Sequence, residues 1–112
     1  MWIMVAGPYS SGGASEEQRV KNLQALNDVA LCVFEKGHVP VIGVNLALPI
    51  IATAEDRYEE IMMPLCLALA DRCDACIRIE GVSRGADQEV ERFRAAGKPV
   101  YFDLNDLPPA TP

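Results

Sequence analysis

Two short segments of the 112-residue chain carry glycines and reactive side chains in an order that could do chemistry. The first is Gly81-Val-Ser-Arg-Gly-Ala-Asp-Gln-Glu89. Glycine lets backbone come close to a ligand, and the amides of residues 85–87, at the opening of a helix, are expected to face an anion. Glu89 lies about one turn further in. Helical side chains lean toward the N-terminus, so its carboxylate is aimed at whatever Ser83, Gly85 and Ala86 hold. Such an acid is a candidate nucleophile or base, and it serves equally as an early acid that complements the helix dipole. The second segment, Gly7-Pro-Tyr-Ser-Ser-Gly-Gly13, offers hydroxyls and amides before a capped helix. That suits a phosphate as well as it suits a plain flexible loop. It has neither the lysine of a P-loop nor the spacing of a dinucleotide fingerprint.

Cys73-Asp-Ala-Cys76 has the spacing of a zinc or redox pair. A zinc site wants four ligands, however, and the single histidine, His38, lies on another strand. A redox pair would sit after a strand at a helix start, whereas this one spans a helix end and a strand start. We read the pair as structural thiols and His38 as structural, and expect no metal and no cofactor.

The elements that must position these groups follow from hydrophobic period. Trp2-Ile-Met-Val-Ala6 is a continuous apolar run, the pattern of a strand buried on both faces. Ser15-Glu-Glu-Gln18 has capping-box spacing, and apolar residues then recur at helical period to Gly37, which predicts a helix over 16–36. His38–Ile42 reads as a second strand. Residues 43–54 are apolar but aperiodic and contain Pro49, so they read as a loop or irregular turn, serving as core, subunit contact or a wall for an apolar base. A helix is expected over 55–72, kinked or restarted at Pro64. Strands over 74–79 and 98–102 flank a helix over 85–96, and the Pro-rich segment 104–112 is expected to be a loose or docked tail. Alternating strands and helices imply one α/β domain, residues 1–103: a three-layer, doubly wound, flavodoxin- or Rossmann-like fold with a parallel sheet of four to five strands. Ligands in such sheets bind outside the carboxyl ends of the strands, where both loops lie.

Composition narrows the partners. Ten basic and sixteen acidic side chains give a formal charge of −6, so there is no basic field to attract a nucleic-acid polymer or an anionic membrane. The uncharged stretches are shorter than the roughly 20 residues that span a bilayer. The first basic side chain is Arg19, which is not the pattern of a secretory signal, and a cytoplasmic protein with reduced cysteines is expected.

Met4-Val-Ala-Gly-Pro-Tyr-Ser10, Gly37-His-Val-Pro40, Arg72-Cys-Asp74, Ser83-Arg-Gly-Ala86 with Glu89, and Gly97-Lys-Pro-Val100 together resemble the nucleoside 2-deoxyribosyltransferase-like superfamily. The likeness runs over residues 2–102 and is greatest to small bacterial and phage members of undefined function. The superfamily also contains the 2′-deoxynucleoside 5′-phosphate N-hydrolase. The resemblance implies that Glu89 attacks C1′ of a deoxyribosyl group, releasing the base and leaving a covalent glycosyl-enzyme for water or a second base. It places Ser83 where the hydrolase contacts the 5′-phosphate and the transferase holds an acid, and a serine favours a nucleotide because it adds no like charge. Gly7, Pro8, Tyr9 and Ser10 match the loop lining the same pocket, together with Ser83, Gly85 and Ala86.

Two positions depart from the family. Its enzymes carry a tyrosine where this chain has Met4 and an aspartate where it has Cys66. The aspartate helps organise the leaving base, so its loss removes an acid/base partner that Tyr9 or Asp71 would have to replace. The rival readings are a nucleotide-binding module without turnover and, more distantly, a flavodoxin-like FMN carrier. The family also implies a homo-oligomer, dimer or tetramer, with Ile50, Ile51, Met62 and Met63 as candidate apolar contacts.

Overall fold

The computed structural model describes residues 1–110; the last two positions of the tail segment lie outside the described residues. Strand β1 (Trp2–Ala6) leads into helix α1 (Glu16–Glu35), followed by β2 (Val39–Val41) and α2 (Gly43–Ile51). A 3-10 turn (Glu55–Arg57) opens α3 (Tyr58–Arg72), and β3 (Ala75–Arg78), α4 (Arg84–Ala95), β4 (Val100–Tyr101) and a 3-10 turn (Leu104–Asp106) complete the described chain. The four strands form one parallel sheet in the order β2-β1-β3-β4. Ile3 pairs with Ala75 and Ala6 with Arg78, which puts the carboxyl ends of β1 and β3 side by side.

Side chains alternate across a strand, and each face of the sheet has its own core. Ile3, Val5, Ala75 and Ile77 meet Leu26 and Val33 of α1 on one face. Met4, Ala6 and Cys76 meet Ala70 of α3 and Ala86, Val90 and Phe93 of α4 on the other. This is the predicted three-layer α/β arrangement, and its strand continuity explains why β1 reads as an unbroken apolar run.

The segment expected to be irregular is a helix. In α2, Ala47 and Ile51 stand one turn apart and pack on Met62 and Cys66, also one turn apart, of α3. Pro49 removes one helical hydrogen bond, but it sits on the exposed side of α2 together with Asn45. Tertiary burial therefore overrides the local breaker. α3 likewise runs through Pro64, which is exposed, without a new start. A Cβ added at Gly43 would lie 2.5 Å from Cys66 Sγ, so the α2–α3 approach requires glycine there. Because Ile51 and Met62 fill this contact, they are not free as subunit contacts, whereas Ile50 stays exposed.

The helix caps agree with the sequence in part. Ser15 Oγ accepts from Gln18 N at 3.1 Å. The Gln18 side chain does not close the capping box; it donates to Asn22, and Asn22 Nδ2 in turn donates to the Tyr9 carbonyl at 2.7 Å. α1 thereby holds the loop after β1. The described part of the tail lies on its own chain: Leu107 is 1% exposed within the α1-side core, and Ala110 N donates to Lys36 O.

Candidate functional site

In the order β2-β1-β3-β4 the chain winds one way from β1 to β2 and the other way through β3 and β4, so the switch point lies between β1 and β3. A cleft of about 480 Å³ opens there. Gly7, Tyr9 and Ser10 line it from the first loop; Ser83, Gly85, Ala86 and Glu89 line it from α4. Seven of the eight residues singled out in the sequence are thus brought together. Pro8 is not on the wall. It packs instead against Gly81, whose φ of +121° suits glycine and whose added Cβ would lie 2.7 Å from the proline ring. Pro8 therefore joins the two loops behind the cleft.

The opening of α4 differs from expectation in one respect. Ser83 is the N-cap: its Oγ accepts from Ala86 N at 3.1 Å and its carbonyl from Asp87 N at 3.0 Å. The amides of Ala86 and Asp87 are therefore occupied. The donors left without a partner among the described residues are the amides of Arg84 and Gly85, since a cap satisfies N3 and the following turn but not the first two positions. The Ser83 hydroxyl proton is a third donor at the same spot.

Glu89 is 8% exposed. Its carboxyl has no hydrogen-bond partner among the described residues, yet no fully buried side-chain oxygen or nitrogen there is left unsatisfied. Its oxygens must therefore open onto the cleft that the residue lines. Burial raises its pKa to about 7, and the positive charge of Arg78 opposes that rise. A carboxyl in this range holds a mixture of charged and neutral forms at neutral pH, where an acid or base works best and where the ionised fraction is a nucleophile.

Arg78, the last residue of β3, was not distinguished in the sequence. It is 9% exposed. Its guanidinium donates to the carbonyls of Ile79 and Gly81 and to Asp87 Oδ1, the latter two at 2.9 and 3.1 Å. It therefore fixes the turn that carries Ser83 and brings positive charge within reach of Glu89. A strand ending in a charged residue before a Gly/Ser turn was the available signal. Tyr58, Met62 and Met63 of α3 complete the wall and were missed too. Tyr58, Met62 and Cys66 are spaced four apart, which puts them on one helix face. Tyr58 OH and Ser10 Oγ lie 2.9 Å apart, and burial raises the phenol pKa.

The profile of the family described as Domain of unknown function (DUF1937) matches residues 1–103. The chain belongs to the DUF1937 family. No curated protein matches its sequence. Among solved structures, this DUF1937 chain is similar to the 2-deoxyribosyltransferase of the psychrotolerant bacterium Bacillus psychrosaccharolyticus, a biocatalyst for nucleoside synthesis, with a TM-score of 0.62 and 18% identity. The likeness covers 95% of this chain and 89% of that one. It establishes that the α/β fold is of the deoxyribosyltransferase type.

The other candidates fall outside the cleft of the DUF1937 chain or change its chemistry. Met4 is fully buried between β1, α3 and α4 and does not reach the cleft. Asp71 cannot stand in for an acid at position 66, because it lies on the outer end of α3 and pairs with Arg92 at 2.5 Å. Cys66 lines the cleft, with its thiol pushed up to about 12 by burial and by the charge of Glu89. Cys73 and Cys76 are buried free thiols raised to about 11 and about 12, chiefly by burial, which leaves them unreactive core residues. His38 Nε2–H donates to the Pro108 carbonyl at 2.7 Å and holds the tail. Among the described residues no group of three or more His, Cys, Asp or Glu could hold a metal ion, and no helix is long and apolar enough to cross a membrane.

Proposed function

We propose that this chain is an N-glycosyl hydrolase or transferase acting on a deoxynucleoside 5′-phosphate or a related N-ribosyl compound, with Glu89 as nucleophile. The observation that carries the reading is the unpaired, nearly buried Glu89 carboxyl opening onto the same cleft as the vacant donors of Arg84, Gly85 and Ser83. A 5′-phosphate at those donors spans one side of the sugar and presents C1′ toward the acid. Glu89 displaces the base to form a glycosyl ester, which water or a second base then resolves. Gly7, Tyr9 and Ser10 close the opposite wall, and Gly85 and Ala86 form the floor beside the phosphate. The fold shared with a 2-deoxyribosyltransferase supports this assignment. The same reading takes the protein as a cytoplasmic homo-oligomer.

The second reading, a nucleotide-binding module without turnover, draws on Cys66, a thiol that holds its proton where the deoxyribosyltransferase-like enzymes this chain resembles carry an acid. One experiment separates the two. Deoxynucleoside monophosphates are incubated with the wild-type chain and with Glu89→Ala, and free base is followed by chromatography. Release that vanishes in Glu89→Ala supports the enzyme; saturable binding by thermal shift with no release supports the module. Equal release from both proteins sinks the assignment of Glu89.

A further inference from the structure

Breaking a C1′–N bond leaves an electron pair on the base nitrogen, and a neutral nucleobase departs well only if an acid supplies a proton at that moment. The α3 wall of the cleft is built from Tyr58, Met62, Met63 and Cys66. The Cys66 thiol is wedged against Gly43 and lies 3.8 Å from Met62 Sδ. With its pKa near 12 it keeps its proton. Tyr58 is engaged with Ser10 and is likewise shifted upward by burial. The carboxyls on the cleft among the described residues are Glu89 itself and Glu59, which is exposed to solvent. The cleft is instead lined by two tyrosine rings, Tyr9 and Tyr58, and by the thioether sulfurs of Met62 and Met63, which are polarisable and attract flat cations, and the buried carboxyl of Glu89 adds to that attraction.

We infer that the preferred substrate is a deoxynucleotide whose base is already cationic, an N7-alkylated purine or a pyridinium, because such a base leaves without a proton from the protein. The inference rests on the glycosidase reading of the cleft and narrows it. A Glu89 carboxylate oxygen bonds to C1′ as the C1′–N bond breaks. The released electron pair goes to the ring and cancels its charge, so the base departs neutral. Water then attacks C1′, the ester bond returns its pair to the Glu89 carboxylate, and the water's proton passes to solvent.

The test uses the full chain with 7-methyl-2′-deoxyguanosine 5′-monophosphate and with 2′-deoxyguanosine 5′-monophosphate. Free base is measured by chromatography, and each rate is divided by the rate with Glu89→Ala, which removes the greater spontaneous lability of the methylated compound. The acceleration of the methylated substrate is expected to exceed the other by on the order of 10²-fold, the contribution a missing general acid ordinarily makes. Equal accelerations overturn the inference and leave the glycosidase reading standing. Release from the unmethylated compound that is lost in Glu59→Gln or in Tyr9→Phe also overturns it, by naming that side chain on the cleft as the proton donor. No Glu89-dependent release from either compound overturns the glycosidase reading itself, and the inference with it.

Discussion

Replacing Glu89 by glutamine should make this protein more stable at alkaline pH relative to acid pH, and the size of the effect follows from the burial of the carboxyl. In the folded chain the group has a pKa of about 7, against an ordinary value of 4.5. The folded state therefore binds this proton more tightly than the unfolded state does. Between those two values the native chain carries the extra proton, so the stability it confers is fully present below about pH 4.5 and is lost as the pH rises through about 7. At about 1.36 kcal/mol per pH unit, the loss between pH 5 and pH 8 is about 2.5 kcal/mol. For a domain of this size that corresponds to a change in Tm of about 10 °C. Glu89→Gln keeps the shape and removes the titration. Urea unfolding of both proteins at fixed ionic strength, at steps from pH 5 to pH 8, measures the difference between their slopes, and groups common to both cancel. The wild-type curve should fall relative to the variant by about 2.5 kcal/mol across that window. The absolute offset between the curves also contains the cost of placing an amide in the cleft and does not enter. Curves that stay parallel within about 0.5 kcal/mol would show the Glu89 carboxyl to be hydrated in the folded protein. The nucleophile argued from its burial would then fall.

Two other substitutions probe the supports of the cleft. Arg78→Leu removes a charge that holds the Glu89 pKa down and strips a partner from the Ile79 and Gly81 carbonyls; the midpoint of the pH–rate profile should move upward and stability should drop by about 1–3 kcal/mol. An unmoved or lowered midpoint would contradict the electrostatic role. Gly43→Ala forces a methyl into Cys66 Sγ, 2.5 Å from the built position, and should cost about 1–3 kcal/mol by overpacking. Adding Cys66→Ala should recover part of that loss in a double-mutant cycle, and strictly additive losses would mean that the two helices relax apart instead.

Much of the arrangement was legible in the residues because it depends on short-range rules. The unbroken apolar run of β1, the Ser15 cap and the Gly/Ser turn before α4 express local backbone chemistry and strand burial, and they place the two loops at one edge of a parallel sheet. The helical spacing from Ser83 to Glu89 offered the acid as a candidate leaning toward the helix opening, and Glu89 does line the cleft. α2 was not legible. Pro49 and the paired isoleucines argue against a helix locally, and the burial of Ala47 and Ile51 on α3 that decides the matter comes from residues more than ten positions away. The α3 wall was hidden for the same reason: an apolar helix face reads identically whether it covers a core or a cavity.

The state of Glu89 belongs wholly to the tertiary structure. The sequence by itself could offer an acid near a helix start, equally suited to offsetting a dipole. Only the folded chain, by closing α3 over it and leaving its oxygens open on one side, removes the water that would otherwise hold its charge, and desolvation is a property of everything packed around a group. Which α4 amides remain free was likewise decided by the fold, because the Ser83 cap consumes the donor at Ala86 and leaves those at Arg84 and Gly85.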